Sequence, residues 1–277
     1  MKKRYLFLLI VGIVLMLVPL LATADIIDSG DCGPTMTWEL DDKGLLSITG
    51  SGYMTSSPWK REPLQNSIKK VEISEGVLNI CELAFGNCYN LSEVDISQGL
   101  LVVERAAFWF CTGLEKIFLP NSVTSIGESA FYHSGLKTFI IPEQVTTDII
   151  SKKVFEGCNN LSEMNVVDSN PFFSSQDGIL FNKEKTILLL YPQGKDGNEY
   201  IVHDGVSEIG ESAFRACKNL VNIVLSNSVK KIGGFAFDGC ENLHSIQLSQ
   251  NLTRIEDAAF QDCFLQAPFV GFCRIKM

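Results

Sequence analysis

Apolar side chains return along this chain at a fixed interval. Phe85, Phe108, Phe131, Phe155, Phe214, Phe237 and Phe260 are separated by 23, 23, 24, 59, 23 and 23 residues, so a period of 23 dominates. Self-similarity of this length marks a repeat architecture, in which each unit is one supersecondary element. Around each phenylalanine the same frame recurs, as in Ser122-Val123-Thr124-Ser125-Ile126-Gly127-Glu128-Ser129-Ala130-Phe131 and Val206-Ser207-Glu208-Ile209-Gly210-Glu211-Ser212-Ala213-Phe214. A small residue and a leucine follow, most cleanly in Cys217-Lys218-Asn219-Leu220 and Cys240-Glu241-Asn242-Leu243.

Two periodicities lie inside each unit. Leu91-Ser92-Glu93-Val94-Asp95-Ile96 and Leu243-His244-Ser245-Ile246-Gln247-Leu248 alternate at their ends as a half-buried strand does. Val94 and Ile96 then point inward and Asp95 outward. The spacing of Ile126, Ala130, Phe131 and Ser134 instead fits one face of a short helix. Each unit therefore reads as a strand, a tight turn often opened by a proline such as Pro120 or Pro142, and a short helical return. No unit can bury its own Phe and Leu, so neighbours must stack. The expected fold class is an α/β repeat solenoid of about seven coils over residues 71–265, with a parallel β ladder.

The frame L-x-x-V-x-I-P-x-x-V-x-x-I-G-x-x-A-F-x-x-C-x-x-L resembles the BspA-like leucine-rich repeats of bacterial surface and secreted proteins, and covers roughly residues 71–265. That resemblance implies a right-handed leucine-rich-repeat solenoid. It also implies adhesion or binding of a host protein, and brings no catalytic residues. The chain departs from the frame in two places. The 59-residue separation contains an insertion, about residues 167–203, where Asp177-Gly178 and Asn182-Lys183-Glu184-Lys185 punctuate apolar runs as in a β-hairpin. Residues 25–70 lack the period. Thr37–Leu40 and Leu45–Thr49 flank the turn Asp41-Asp42-Lys43-Gly44, so the segment reads as an N-terminal β cap over the first coil's open edge. Packing is the expected role of Trp38 and Trp59, ahead of a carbohydrate site.

The chain begins Met1-Lys2-Lys3-Arg4, runs apolar from Tyr5 to Leu21 and reaches Ala22-Thr23-Ala24, the form of a secretory signal with a small-residue cleavage site. Residues 1–24 read as a signal peptide, and the mature chain is expected to be extracellular, with no membrane span. Losing three basic and no acidic residues moves the formal charge from −9 to −12. Such a surface repels phosphate backbones, so nucleic acid is excluded as a partner.

Candidate chemistry is sparse. Cys88, Cys111, Cys158, Cys217, Cys240 and Cys263 occupy one slot of the repeat, which Ser134 fills in the remaining copy. Successive coils would stack these sulfurs about 4.8 Å apart with parallel side-chain vectors, which suits small buried thiols better than disulfides. Cys32, Cys81 and Cys273 fall outside the column. Neither C-x-x-C nor a histidine ligand set is present, so neither a metal nor any other cofactor is expected. His133, His203 and His244 stand in no catalytic motif, and the chain does not read as an enzyme. Asn90, Asn160 and Asn251 begin glycosylation-type triplets, but the repeat frame itself generates them.

Function should then lie at outward positions. In the outward strand column the series is Glu72, Asp95, Phe118, Ile140, Asn165, Val224, Gln247, and just after the phenylalanine it is Gly86, Trp109, Tyr132, Glu156, Arg215, Asp238, Gln261. Apolar groups contiguous on a surface mark partner sites. Phe118 with Ile140, and Trp109 with Tyr132, are thus the candidate binding residues, for an extracellular or host-surface protein. The alternative is a structural module that self-associates through its C-terminal coil, after which residues 266–277 form an irregular tail that breaks the repeat.

Overall fold

A computed structural model describes residues 24–146 and 153–265. The expected signal segment up to residue 23, the tail 266–277 and Cys273 lie outside the described residues. Three antiparallel strands open the fold: β1 (Ile26–Gly33), β2 (Met36–Asp41) and β3 (Leu45–Gly50). A single helical turn, α1 (Leu64–Ser67), leads to β4 (Lys70–Ile73), which pairs parallel to β3. The strand Glu93–Ile96 then adds in parallel to β4. Further on, Glu163–Val166 pairs parallel with Thr138–Ile141, and Glu199–Ile201, Asn222–Val224 and Ser245–Gln247 form a second three-strand ladder. The hydrophobic pattern explains the register. In β4 the alternation buries Val71 and Ile73 and exposes Glu72, and the outward acids Glu72, Glu93 and Asp95 all reach Lys70.

The core is a column of stacked rings. Trp59, Phe85, Phe108, Phe131 and Phe155 stack in order at centroid separations of 5.2–5.8 Å, and Tyr191, Phe214, Phe237 and Phe260 at 4.9–5.1 Å. That makes nine turns rather than the expected seven. The two extra rungs are Trp59, donated by the cap, and Tyr191, donated by the insertion. Both fill the slot with a ring other than phenylalanine, so the Phe spacing passes over them.

The returns are not helical, against the expectation. In the seven phenylalanine turns the residues two before and two after the ring take left-handed backbone angles, as at Leu83 and Asn87, Ala106 and Phe110, Ser129 and His133, Ser212 and Ala216, and Phe235 and Gly239. L-residues enter that region singly and cannot propagate a helix through it. The frame's 4-1-3 spacing reproduces a helical face, but the hydrogen bonds run between coils. Phe85, Phe108, Phe131, Tyr191, Phe214 and Phe237 each donate their N–H to a carbonyl of the following coil at 2.7–3.0 Å. The residue two further on does the same in Asn87, Phe110, His133, Ala216 and Gly239. On this face the backbone bonds between coils run from an N–H to a carbonyl of the next coil. The first coil's carbonyls are satisfied by the cap, since Trp59 Nε1 donates to Ala84 O at 2.7 Å and Gln65 Nε2 to Gly86 O at 2.7 Å.

The cysteine column is unpaired among the described residues, and all of it is buried except the half-buried Cys263. Its thiols donate one coil back, to the carbonyl of the slot aromatic: Cys111 to Phe85 at 3.0 Å, Cys158 to Phe131 at 3.1 Å, Cys240 to Phe214 at 2.9 Å. The slot selects a small group with one proton to give, and Ser134 meets the same demand, sitting 3.3 Å from Cys158 Sγ. Burial pushes the Cys158 thiol up to about 11 and Cys88 to about 12, and holds Cys111 well above its ordinary value.

The insertion is a two-residue hairpin. Phe173–Gln176 pairs antiparallel with Ile179–Asn182, and Asp177 and Gly178 both have positive φ, the geometry that matches strand twist. Ile179–Asn182 pairs with Ile187–Leu190, which rejoins the parallel ladder at Glu208–Ile209. The hairpin thus enlarges one coil and carries the column on through Tyr191.

Candidate binding surfaces

Residues just after the stacked ring leave the core at the rim of the return. On the coils of Phe108 and Phe131 these positions are aromatic, and they meet. Trp109 and Tyr132 are both half-buried and lie near parallel at 6.5 Å between centroids. The structure adds two rings that the outward series omitted: Phe110 packs on Trp109 at 4.5 Å, and His133 packs on Phe110 at 4.7 Å and on Tyr132 at 4.4 Å. Four rings on two adjacent coils form one ledge.

Phe110 and His133 stand at φ +56° and +52°. Equivalent positions elsewhere hold Asn87, Gly157, Ala216, Gly239 and Asp262, and most of these are residues that tolerate the left-handed region at low cost. Bulky residues there are outliers that the surrounding structure must hold. This column, two after the phenylalanine, is the sequence signal that would have found them. Gly157 completes the edge of the ledge, because a Cβ there would lie 2.6 Å from the His133 ring. On the other side Tyr89 donates its hydroxyl to Asn87 Oδ1 at 3.2 Å, giving the ledge a polar border.

Phe118 and Ile140, the strand-column pair, are 61% and 38% exposed. They do not share a strand pair. Ile140 lies opposite Asn165 in the parallel ladder, whereas residues 114–119 form no assigned strand. Lys116 Nζ sits 5.7 Å from the centre of the Phe118 ring, so this ring already has a cation over it. Both side chains are thus outward as expected, although no strand pairing joins them.

A third feature was not foreseen. Between the coils of Phe155 and Tyr191 lies a cavity of about 360 Å³, walled by Val154, Phe155, Leu161, Leu189, Tyr191 and Ala213 among others. Glu156 and Arg215 close its rim with an ion pair at 3.3 Å, and Arg215 Nε also holds Asp238 at 2.9 Å.

Among the described residues no group of three or more His, Cys, Asp or Glu could hold a metal, and no helix is long and apolar enough to cross a membrane. His203 lies 3.6 Å from Asp177 and His244 contacts the Asn242 carbonyl. His133 belongs to the ledge.

A stack of 23-residue coils with parallel ladders, a buried aromatic column and an N-terminal β cap defines a leucine-rich-repeat solenoid. The chain belongs to the BspA-type leucine-rich repeat family, whose model matches six copies over residues 64–177 and 195–268. Among solved structures it is similar to a leucine-rich repeat protein from Eubacterium ventriosum, with 20% identity, TM-score 0.55, and coverage of 88% of this chain and 91% of that one. It is also similar to the pneumococcal vaccine antigen PcpA, with 21% identity, TM-score 0.51, and coverage of 86% of this chain and 73% of that one. At these identities the likeness shows the fold alone. No curated protein matches the chain.

Proposed function

We propose that this chain is an extracellular adhesion module that captures a partner protein on the ledge of Trp109, Phe110, Tyr132 and His133, without catalysis. The single observation that carries the reading is the contiguity of those four rings on two coils. Large rigid aromatics supply contact area at low conformational cost and dominate interface energetics. Two of them sit in a backbone region that is unfavourable for bulky side chains, in a column where other coils hold Asn87, Gly157 and Gly239. Secretion is supported by the basic start, apolar run and Ala22-Thr23-Ala24 site, and by a fold shared with a vaccine antigen. The acidic exterior favours partners that are neutral or basic.

The test immobilises the chain from residue 25 onward and screens extracellular-matrix and cell-surface proteins by pull-down and biosensor. Trp109→Ala with Tyr132→Ala should weaken the captured partner more than about tenfold, the scale of a hot spot. Phe118→Ser with Ile140→Ser serves as the second arm. If the strand pair abolishes binding and the ledge pair leaves it intact, the ledge is the wrong surface.

A further inference from the structure

From the coil of Phe85 to that of Phe260 the return face carries backbone N–H bonds from each ring to the following coil, except after Phe155. Tyr191 N–H donates to Ala213 O and His133 N–H to Glu156 O, so the coils on both sides of the cavity are bonded outward. Across the cavity itself, the N–H groups of Phe155 and Gly157 find no acceptor among the described residues, although those of Phe85 and Asn87, Phe108 and Phe110, Phe131 and His133, Phe214 and Ala216, and Phe237 and Gly239 all donate to the coil that follows. The aromatic column breaks at the same point, because Phe155 stacks on Phe131 and Tyr191 on Phe214, but not on each other. The far wall adds the opposite polarity: Gln193 Oε1 is buried without a partner, while its Nε2 replaces a backbone donor on Arg215 O at 3.0 Å. The two coils touch at one corner, where Gly194 N–H donates to Leu161 O at 2.8 Å and a Cβ on Gly194 would lie 2.5 Å from Asn160. The junction is therefore a wedge, hinged at Leu161 and Gly194, and open towards Lys153 and Glu156.

We propose that this wedge binds an extended segment of another polypeptide, taken up as an added rung whose aromatic or large aliphatic side chain fills the gap between Phe155 and Tyr191. The chemistry on the two walls is that of a strand edge. Main-chain donors on one side ask for carbonyls, an orphan amide oxygen on the other asks for an N–H, and apolar walls ask for one large side chain. A buried polar group left unpaired is costly, and backbone addition to an open edge satisfies several at once. The volume far exceeds the ~10–15 Å³ that a single water needs. The wedge is also continuous with the coil–coil interface, so its natural guest is what every other junction already buries: a piece of return with its ring. Glu211 on the rim makes no ion pair among the described residues, which favours a guest carrying a basic residue near its ring. This site does not rest on the ledge.

The probe is a fluorescein-labelled synthetic peptide carrying residues 208–217 of this chain, with serine in the cysteine position, titrated against the full chain by fluorescence anisotropy. It should bind saturably and one to one, and the same peptide with Phe214→Ser should bind at least tenfold more weakly. In the protein, Leu189→Trp fills the cavity and should abolish binding with the thermal midpoint retained. Gln193→Leu keeps the apolar gap but removes the orphan acceptor, and should weaken binding several-fold; it decides the matter if Leu189→Trp does not fold. Absence of saturation, equal affinity for the Phe214→Ser peptide, or undiminished binding by the folded variants would each overturn the proposal.

Discussion

The junction between Phe108 and Phe131 and the junction between Phe155 and Tyr191 use the same slot and differ in how they are joined. At the first the rings stack 5.3 Å apart, and Phe108 and Phe110 donate to the next coil at 2.8 Å. At the second both bonds and the stack are missing, and a cavity takes their place. The spacing of 36 residues between Phe155 and Tyr191 means that a hairpin must be accommodated before the next ring arrives. An aromatic in the slot is thus not sufficient to close a junction. The backbone ladder has to be in register as well.

The largest effects should come from the rings. Phe131→Ala, with neighbours stacked on both faces, should cost about 3–5 kcal/mol, whereas Phe155→Ala, which already borders a cavity, should cost about 1–2 kcal/mol less. Urea unfolding of the two variants measures this, and equal losses would mean that the wedge is closed in solution. Next comes alkali. Folded-state values of about 11 and 12 for Cys158 and Cys88 lie above the ordinary 9.0, so above pH 9 the unfolded chain releases thiol protons that the folded chain retains. The unfolded state then binds fewer protons, and stability falls as pH rises, by up to about 1.4 kcal/mol per pH unit for each such thiol. Below pH 8 the curve should be flat from this source. A thermal midpoint unchanged between pH 8 and pH 10 would show that the thiols are not held in the interior.

Smaller still is the bridge over the wedge. Arg215→Ala removes a half-buried pair with Glu156 and the charged partner of the buried Asp238 carboxylate, and should cost about 1–2 kcal/mol, because that carboxylate is left unpaired. A loss of several kcal/mol would make that bridge, and not the corner at Leu161, the hinge of the junction. Smallest of all, Phe118→Ser should leave stability within about 0.5 kcal/mol of the parent, since its ring is 61% exposed.

Much of this was readable from periodicity. The 23-residue interval placed Phe85, Phe108, Phe131, Phe214 and Phe237 in one column, and all are fully buried. The cysteine slot was legible for the same reason, since a position repeated on successive coils has one environment. What periodicity hides is substitution inside the slot. Trp59 and Tyr191 perform the same packing from segments without the frame, so two rungs went uncounted. It also hides backbone handedness. The spacing of Ile126, Ala130 and Phe131 suits a helix, and only the alternate positive φ of Ser129 and His133 reveals a turn bonded to its neighbours. The ledge was half visible: Trp109 and Tyr132 stand out as aromatics at the rim, while Phe110 and His133 become conspicuous only once their column is known to be left-handed. The wedge depends on two coils failing to meet, which no single repeat encodes.

One consequence follows from the direction of the bonds on the return face. A standard 23-residue coil offers acceptors to the coil before it and donors to the coil after it, so such a unit is complementary to its own copy in head-to-tail order. Duplication of one 23-residue stretch within the gene would place a new coil between two old ones without leaving either of them mismatched. The first coil instead has a dedicated partner, because Trp59 and Gln65 cover its carbonyls. Lineages carrying this architecture can therefore change length by whole units while the cap stays the same, and the reach of the molecule becomes a trait that recombination can adjust in steps.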